Sequence, residues 1–240
     1  MTKYILLIVF IFLSIFYYSS PLKPAGFDSS FLSVATFLFA IFTGFFISRQ
    51  GNRYSLIRNE NANFDGYLSA LYRYFGHFGA AAQRKIKETI EKHHSLIIKN
   101  RAWDYHFTHK SNTICQIHEQ LGEIDKTKKM TELRKAGIKE ILRISRDLQL
   151  VRKRMISLHQ ERIPRFQWTL IIFLGGILLI TVSALSTQAQ LLPSLLKGAF
   201  STCVILVLIL LYQFDNLKFF ENTIGERSRK DMSDIFSGKR

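Results

Sequence analysis

The chain has 240 residues, a formal net charge of +15 and a composition that is 48% hydrophobic, with 21 phenylalanines. Its apolar residues gather in four blocks that contain no Asp, Glu, Lys or Arg: Tyr4–Tyr18, Phe31–Ser48, Trp168–Leu185 and Gly198–Phe214. This separation of apolar from charged segments excludes an ordinary water-soluble domain. The two cysteines give no basis for a disulfide framework.

Each block is close to the length of a membrane-spanning helix, which needs about 20 mostly apolar residues. We therefore predict an all-α integral membrane protein with four transmembrane helices, at about residues 4–20, 31–48, 168–186 and 198–214. The first block also resembles a secretory signal peptide, because a lysine precedes its apolar run. It ends in the bulky residues Phe16, Tyr17 and Tyr18, without a small-residue cleavage site, so we expect the helix to be retained.

Positive charge sets the expected orientation. Between the second and third blocks, Arg49–Arg165 holds 24 of the 33 Lys and Arg residues, whereas Ser19–Ser30 and Thr187–Lys197 hold one Lys each. Segments rich in Lys and Arg stay on the cytoplasmic side of a membrane. We predict a multi-pass cell-membrane protein in which 1–48 and 166–214 carry the spans, and in which the N-terminus, the segment 49–165 and the tail 215–240 are cytoplasmic.

The helical periodicity of the second block continues past its apolar end. Residues spaced alternately by 3 and 4 predict a helix with one buried side: Tyr54, Ile57, Asn61, Phe64, Leu68, Leu71 and Phe75. Projected backwards, this seam passes Gln50, Ile47 and the small residues Thr43, Ala40, Thr36 and Ser33, which favour close helix packing or, alternatively, line a wet path. We predict one unbroken helix from Phe31 to about Phe75, ended by Gly76 and Gly79.

The rest of the middle segment is also predicted to be mostly helical. Helices are expected over Ala80–Asn100, Thr113–Glu123 and about Lys128–Arg162, and Pro164 separates the last from the third membrane helix. Alternating aromatic and polar residues over Trp103–His109 predict an extended connector. The longest of these helices has an apolar stripe: Leu133, Gly137, Ile141, Ile144, Leu148, Val151, Met155 and Leu158.

Residue types that carry catalysis or bind metals give no recognised pattern. His106, His109, Cys115 and His118 include good zinc ligands, but their spacing matches no established site, and the adjacent His93 and His94 point in different directions on a helix. We therefore expect no metal and no cofactor, and the missing catalytic motifs argue against an enzyme. The basic composition is explained by topology and by anionic lipid heads, so we expect the bilayer, and no nucleic acid, as a partner.

Three stretches resemble the bestrophin-like family. "GFFISRQGNRYSLIRNENANFDGYLSALYRYFG" is similar to that family's arginine-rich exit from the second helix, and "RKRMISLHQERIPRFQWTLIIF" to the Arg–Pro–Trp start of the third. "LLYQFDNLKFFENTIGE" resembles its last helix and Asp-Asn segment, with Leu217-Lys218-Phe219 in place of the usual Pro-Phe. The order of two membrane helices, a long basic helical segment and two more membrane helices is also that of the family.

The resemblance implies a homo-oligomeric channel, pentameric as in bestrophins, that passes small inorganic ions, mainly anions such as chloride. The family's hydrophobic neck on the second helix falls here on Phe37, Ile41 and Phe45, with Gly44 beside the last. The inner mouth of the pore would then carry basic candidates that follow directly on the same helix: Arg49, Arg53 and Arg58.

Two alternatives stay open. Without the resemblance, the face of Ser33, Thr36, Ala40 and Thr43 is an equal candidate for a lumen, and the neck residues could simply contact lipid. The whole protein could also be a non-conducting membrane scaffold whose cytoplasmic helical bundle binds a partner.

Overall fold

The computed structural model describes residues 2–19, 29–100, 102–109, 112–125, 131–184, 191–218, 230 and 234–236. Within these ranges the chain is helical and contains no strand, which confirms the predicted all-α class. The helices are α1 (Thr2–Ser19), α2 (Ser29–Gly76), α3 (Ala80–Asn100), α4 (Tyr105–Thr108), α5 (Thr113–Asp125), α6 (Glu132–Gln160), α7 (Arg165–Ala184) and α8 (Leu191–Asp215).

The long second helix is confirmed. α2 runs without interruption for 48 residues and contains no proline. It ends at Gly76, where the chain turns. Gly79 then adopts a φ of +112°, a backbone conformation that residues other than glycine rarely adopt. The stretch between the apolar block and the charged segment is therefore part of one continuous helix.

The chain divides into two compact units. The first unit comprises Met1–Asn52 and Arg162–Asn216, and the second comprises Arg53–Glu161 and Leu217–Arg240. α2 contributes its N-terminal part to the first unit and its C-terminal part to the second.

The first unit has an apolar core and an apolar outer surface. In the core, α2 packs against α7 and α8 through buried residues that include Ala35, Phe39, Phe46, Ile171, Leu178, Val204 and Leu211. Among the described residues, three helices are long and apolar enough to cross a membrane: Ser30–Gly76, Arg165–Ala184 and Leu191–Asp215. Leu7–Ser19 of α1 is a shorter apolar helix, so a fourth span stays a prediction.

The first block packs closely within this unit. The Tyr17 hydroxyl on α1 lies 2.9 Å from Ser201 Oγ on α8 and accepts a hydrogen bond of 3.2 Å from Ser183 Oγ on α7. Gly198 on α8 lets the α1 backbone approach, because a Cβ at this position would lie 3.2 Å from Ser14 Cα and closer still to Ser14 Oγ. α1 is therefore a packed element of the unit, joined to two neighbours by hydroxyl groups.

The second unit is a helical bundle with its own core. The predicted seam of α2 is confirmed from Ile57 to Phe75, and the predicted stripe of α6 from Gly137 to Met155. Leu133 is an exception with 67% of its surface exposed. These two seams meet residues of the shorter helices in one cluster: Ile86 and Ile90 of α3, and Ile117 and Leu121 of α5.

Two expectations about the secondary structure were wrong. Trp103–His109 is not extended, because Tyr105–Thr108 forms a helical turn in which the Thr108 and His109 amides donate to the Asp104 and Tyr105 carbonyls. Burial of Trp103 and His106 in the core of the second unit favours this turn over an exposed strand-like connector. α8 begins at Leu191, earlier than the predicted Gly198, since the charge of Lys197 is tolerated within the helix, 5.9 Å from the centre of the Tyr17 ring.

The backward projection of the α2 seam was also wrong at its far end. Gln50 and Thr43 are buried as projected, but Ser33 and Ala40 are exposed, and the buried side carries Ala35 and Phe39 in their place. A strict alternation of 3 and 4 has a period of 3.5, and a straight helix drifts from it by about 20° per heptad. Over three heptads this drift moves the true buried face away from the projected one. The predicted start of α6 near Lys128 lies outside the described residues.

The close contact between α1 and α8 gives a stability prediction. Gly198→Ala should destabilise the protein by about 1–3 kcal/mol, because the added methyl group has to displace the α1 backbone near Ser14. Gly176→Ala on α7 is the matched control, since a Cβ there meets no atom within 4 Å. Thermal unfolding in detergent checks both variants, and equal melting temperatures would contradict the proposed close packing.

Candidate functional site

The residues predicted to form a neck lie together on the outer side of the first unit. Phe37, Ile41 and Phe45 are 64%, 50% and 60% exposed, and each follows the last by four residues, so that successive side chains are offset by about 40°. A Cβ at Gly44 would meet no atom within 4 Å. This row lies on the opposite side of α2 from the core residues Ala35, Phe39 and Phe46.

The three predicted basic residues differ in their surroundings. Arg49 and Arg58 are exposed, whereas Arg53 is only 3% exposed. The Arg53 guanidinium donates from Nε to the Leu158 carbonyl over 2.6 Å and from Nη2 to the His159 carbonyl over 2.8 Å. These carbonyls belong to the last turn of α6, where backbone acceptors lack partners within the helix and a positive charge is favourable.

Arg53 is therefore held by α6. Its guanidinium joins α2 to the C-terminal end of α6 and gives hydrogen bonds to two backbone carbonyls of the last turn. A role for Arg53 at the inner mouth of a pore would require both of these hydrogen bonds to break. Arg49 and Arg58, by contrast, have exposed side chains.

A buried carboxylate, which the sequence analysis did not single out, organises the start of α7. Asp215, at the end of α8, is 6% exposed. Its Oδ1 accepts a hydrogen bond of 2.8 Å from the Ile163 amide, and its Oδ2 accepts one of 3.1 Å from the Trp168 indole Nε1. Ile163 precedes Pro164, so this carboxylate binds the chain where it leaves the turn and begins α7.

Asp215 thus brings together two of the stretches that carried the resemblance. The Asp-Asn segment after the last helix and the Pro–Trp start of the third helix form one hydrogen-bonded site, although they lie about 50 residues apart in sequence. The next residues also depart from the family pattern, and Leu217 is buried in the core of the second unit with a φ of 56°. Two features of the sequence could have indicated this site: the single acid Asp215 at the end of an apolar helix, and Trp168 near the start of another.

The histidines are distributed unlike metal ligands. Among the described residues, no group of three or more His, Cys, Asp or Glu side chains is arranged to hold a metal ion. His109, Cys115 and His118 are exposed, whereas His93, His94 and His106 are buried in the second unit. The sequence did not predict that His93 and His106 are buried together, because an extended connector over Trp103–His109 gives no reason for His106 to be buried.

A half-buried pair in the second unit joins Asp104 to His159. Asp104 Oδ2 lies 3.0 Å from His159 Nε2. This hydrogen bond from His159 holds the pKa of Asp104 below its ordinary value, against the opposing effect of burial. The pair links the residue before α4 to the last turn of α6, next to the carbonyls that Arg53 binds.

The Asp215 contacts give a second stability prediction. Asp215→Asn should lower the free energy of unfolding by about 1.5–3 kcal/mol, because one of the two N–H donors then faces an amide NH₂ group instead of a carboxylate oxygen. Denaturant unfolding followed by tryptophan emission measures the loss, and Trp168 reports on the site itself. Glu123→Gln, which removes an exposed ion pair with Lys85, is the control and should change stability little. Equal effects of both variants would contradict an organising role for Asp215.

Comparison with known protein families gives one clear result. A family model described as the bestrophin-like domain matches residues 25–217, which include the outer row on α2, Arg53 and Asp215. Neither a curated protein nor a solved structure matches the chain significantly. The match covers most of the chain, from just before α2 to just after α8. On this basis the chain belongs to the bestrophin-like family.

Proposed function

We propose that the protein is a homo-oligomeric ion channel that passes small anions such as chloride through a hydrophobic neck on α2. One observation carries the proposal: Phe37, Ile41 and Phe45 form an outward row on an apolar helix within the family-matched region. These side chains are not among the buried core residues of their own unit, although the Phe45 ring contacts that of Phe46, and their exposed surfaces are available to face a symmetry axis.

A ring of subunits is needed to close such a pore. Cyclic assemblies use heterologous contacts, in which one surface of a subunit meets a different surface of the next. The first unit offers extensive apolar surface for such contacts and for lipid, since only 22–33% of the apolar stretch of each long helix is buried in the single chain. We take the pentamer of bestrophins as the assembly, in the cell membrane and with both termini in the cytoplasm.

The neck and the basic residues would have separate tasks. Phe and Ile side chains have no polar groups that could replace the hydration shell of an ion. A narrow ring of these side chains therefore controls ion passage by changing between a water-filled and a dry state. Exposed arginines raise the local concentration of anions and favour their arrival. Arg49 and Arg58 are the candidates for this second task, and Arg53 supports the helical bundle instead.

A non-conducting scaffold is the second candidate function. It is favoured by an open recess of about 400 Å³ on the second unit, lined by Gly66, Ser69, Ala70, Arg73, Tyr74 and His77. This recess could receive a partner's side chains. The outward apolar row on α2 has no role under this alternative beyond contact with lipid.

Ion flux from liposomes tests the proposed channel. Purified protein should release chloride faster than it passes sodium, and Phe37→Ala or Ile41→Ala should raise chloride flux severalfold by widening the neck. Phe173→Ala on α7 is the matched control, because Phe173 is also 64% exposed in an apolar helix, and its flux should equal that of the wild type. Unchanged flux in both neck variants would remove the neck assignment, and an inactive wild type would contradict conduction.

A further inference from the structure

Three rings form a buried stack in the second unit. The imidazoles of His93 and His106 are parallel within 10°, with centroids 3.7 Å apart. Phe64 of α2 stacks against His93, with centroids 5.3 Å apart and planes 23° apart. His93 and His106 are each 3% exposed, so the stack is closed to bulk water.

Hydrogen bonds connect the stack to the surrounding helices. His106 Nε2 lies 2.9 Å from the His93 carbonyl, which can only accept a hydrogen bond. This nitrogen therefore carries the proton, and Nδ1 of the neutral ring is unprotonated. His93 Nδ1 lies 3.1 Å from Thr113 Oγ1 at the start of α5. Arg152 of α6 donates from Nε to the His106 carbonyl over 3.4 Å. Five elements, α2 to α6, therefore meet at these two imidazoles.

The charged and titratable groups around the stack oppose its protonation. α3 contributes His94, whose ring centroid is 5.4 Å from that of His93, and α6 contributes the positive charge of Arg152. α2 and α5 contribute the Phe64 ring and the Thr113 hydroxyl. The acid near α4 is Asp104, which is bound to His159 of α6.

Both imidazoles are accordingly biased towards the neutral form. Burial, and then the neighbouring His106 and His94, hold the pKa of His93 well below its ordinary value. Burial is also the main cause of a lowered pKa at His106, to which Arg152 adds, while the hydrogen bond to His93 acts in the opposite direction. A proton on one ring would also repel a proton on the other across 3.7 Å.

We propose that the Phe64–His93–His106 stack is a proton-operated latch. Its neutral form holds the segment Trp103–His109 against α3, and acidification releases that segment from the helical bundle. The proton would come from solvent during transient opening, and no other reactant is required. The latch concerns the second unit alone and does not depend on whether the protein conducts ions.

The direction of the effect follows from linkage. Because the fold lowers the pKa of both histidines, the unfolded or opened segment binds protons more readily than the closed one. The stabilising contribution is complete above the ordinary histidine pKa of about 6.5. It is lost as the pH falls below that value towards the lowered pKa values of the closed state.

Hydrogen exchange on the full chain in detergent tests the latch. Amides of residues 102–109 should exchange about tenfold faster at about pH 5 than at about pH 7.5, after correction for intrinsic exchange, because the opened segment binds protons more readily than the closed one. His93→Phe keeps a ring in the stack but cannot take up a proton, so this pH-dependent rise should shrink to the part that His106 alone contributes. His118→Gln removes an exposed histidine of α5 and should retain it.

A second variant guards against a folding defect. His93→Asn keeps a polar group near the Thr113 hydroxyl and cannot bind a proton in this range. It should exchange faster than the wild type at neutral pH and show a smaller rise on acidification than the wild type, because only His106 can still take up a proton. The proposal is overturned if the wild type shows no rise confined to this segment, or if both His93 variants show a rise as large as that of the wild type.

Discussion

The helix α2, 48 residues long, must bury one side in the cores of both units. α2 supplies Ala35, Phe39 and Phe46 to the core of the first unit, and further along it supplies a continuous seam to the core of the second. Between these two apolar series, its buried side carries Gln50 and Arg53. Because a buried guanidinium needs acceptors, the end of α6 is bound to α2 at this point through two backbone carbonyls. The stretch of α2 between its two apolar series is therefore stabilised by hydrogen bonds from Arg53.

The same helix has an outer side on which function is proposed to lie. Phe37, Ile41 and Phe45 are apolar and 50–64% exposed within the part of the chain that the structure describes, and under the proposal this exposed surface meets a symmetry mate. In the proposed channel, the separation of this row from the exposed arginines would let wetting and charge act at different places. Arg53 shows why sequence position alone does not identify a pore residue, since its side chain turns inward while Arg49 and Arg58 stay exposed.

Much of the fold could be read from periodicity, which depends only on neighbours along the chain. This signal predicted α2 and the stripe of α6, and it failed where long-range contacts decide. The turn at Tyr105–Thr108 depends on burial of Trp103 and His106 by other helices, which alternating residue types do not show. Asp215 was likewise missed as a site, because its two donors come from another helix and only the folded chain brings them together. The small-residue face was misplaced by the drift of a real helix from a 3.5-residue repeat.

The central claim, that the outer face of α2 surrounds a pore, requires a closed ring of subunits. The most direct measurement is the mass of the native assembly, by native mass spectrometry of the full chain released from nanodiscs. The account predicts a cyclic homo-oligomer, and specifically a pentamer. A monomer or a dimer as the stable species would contradict it, because neither can enclose a conduit with one α2 from each subunit.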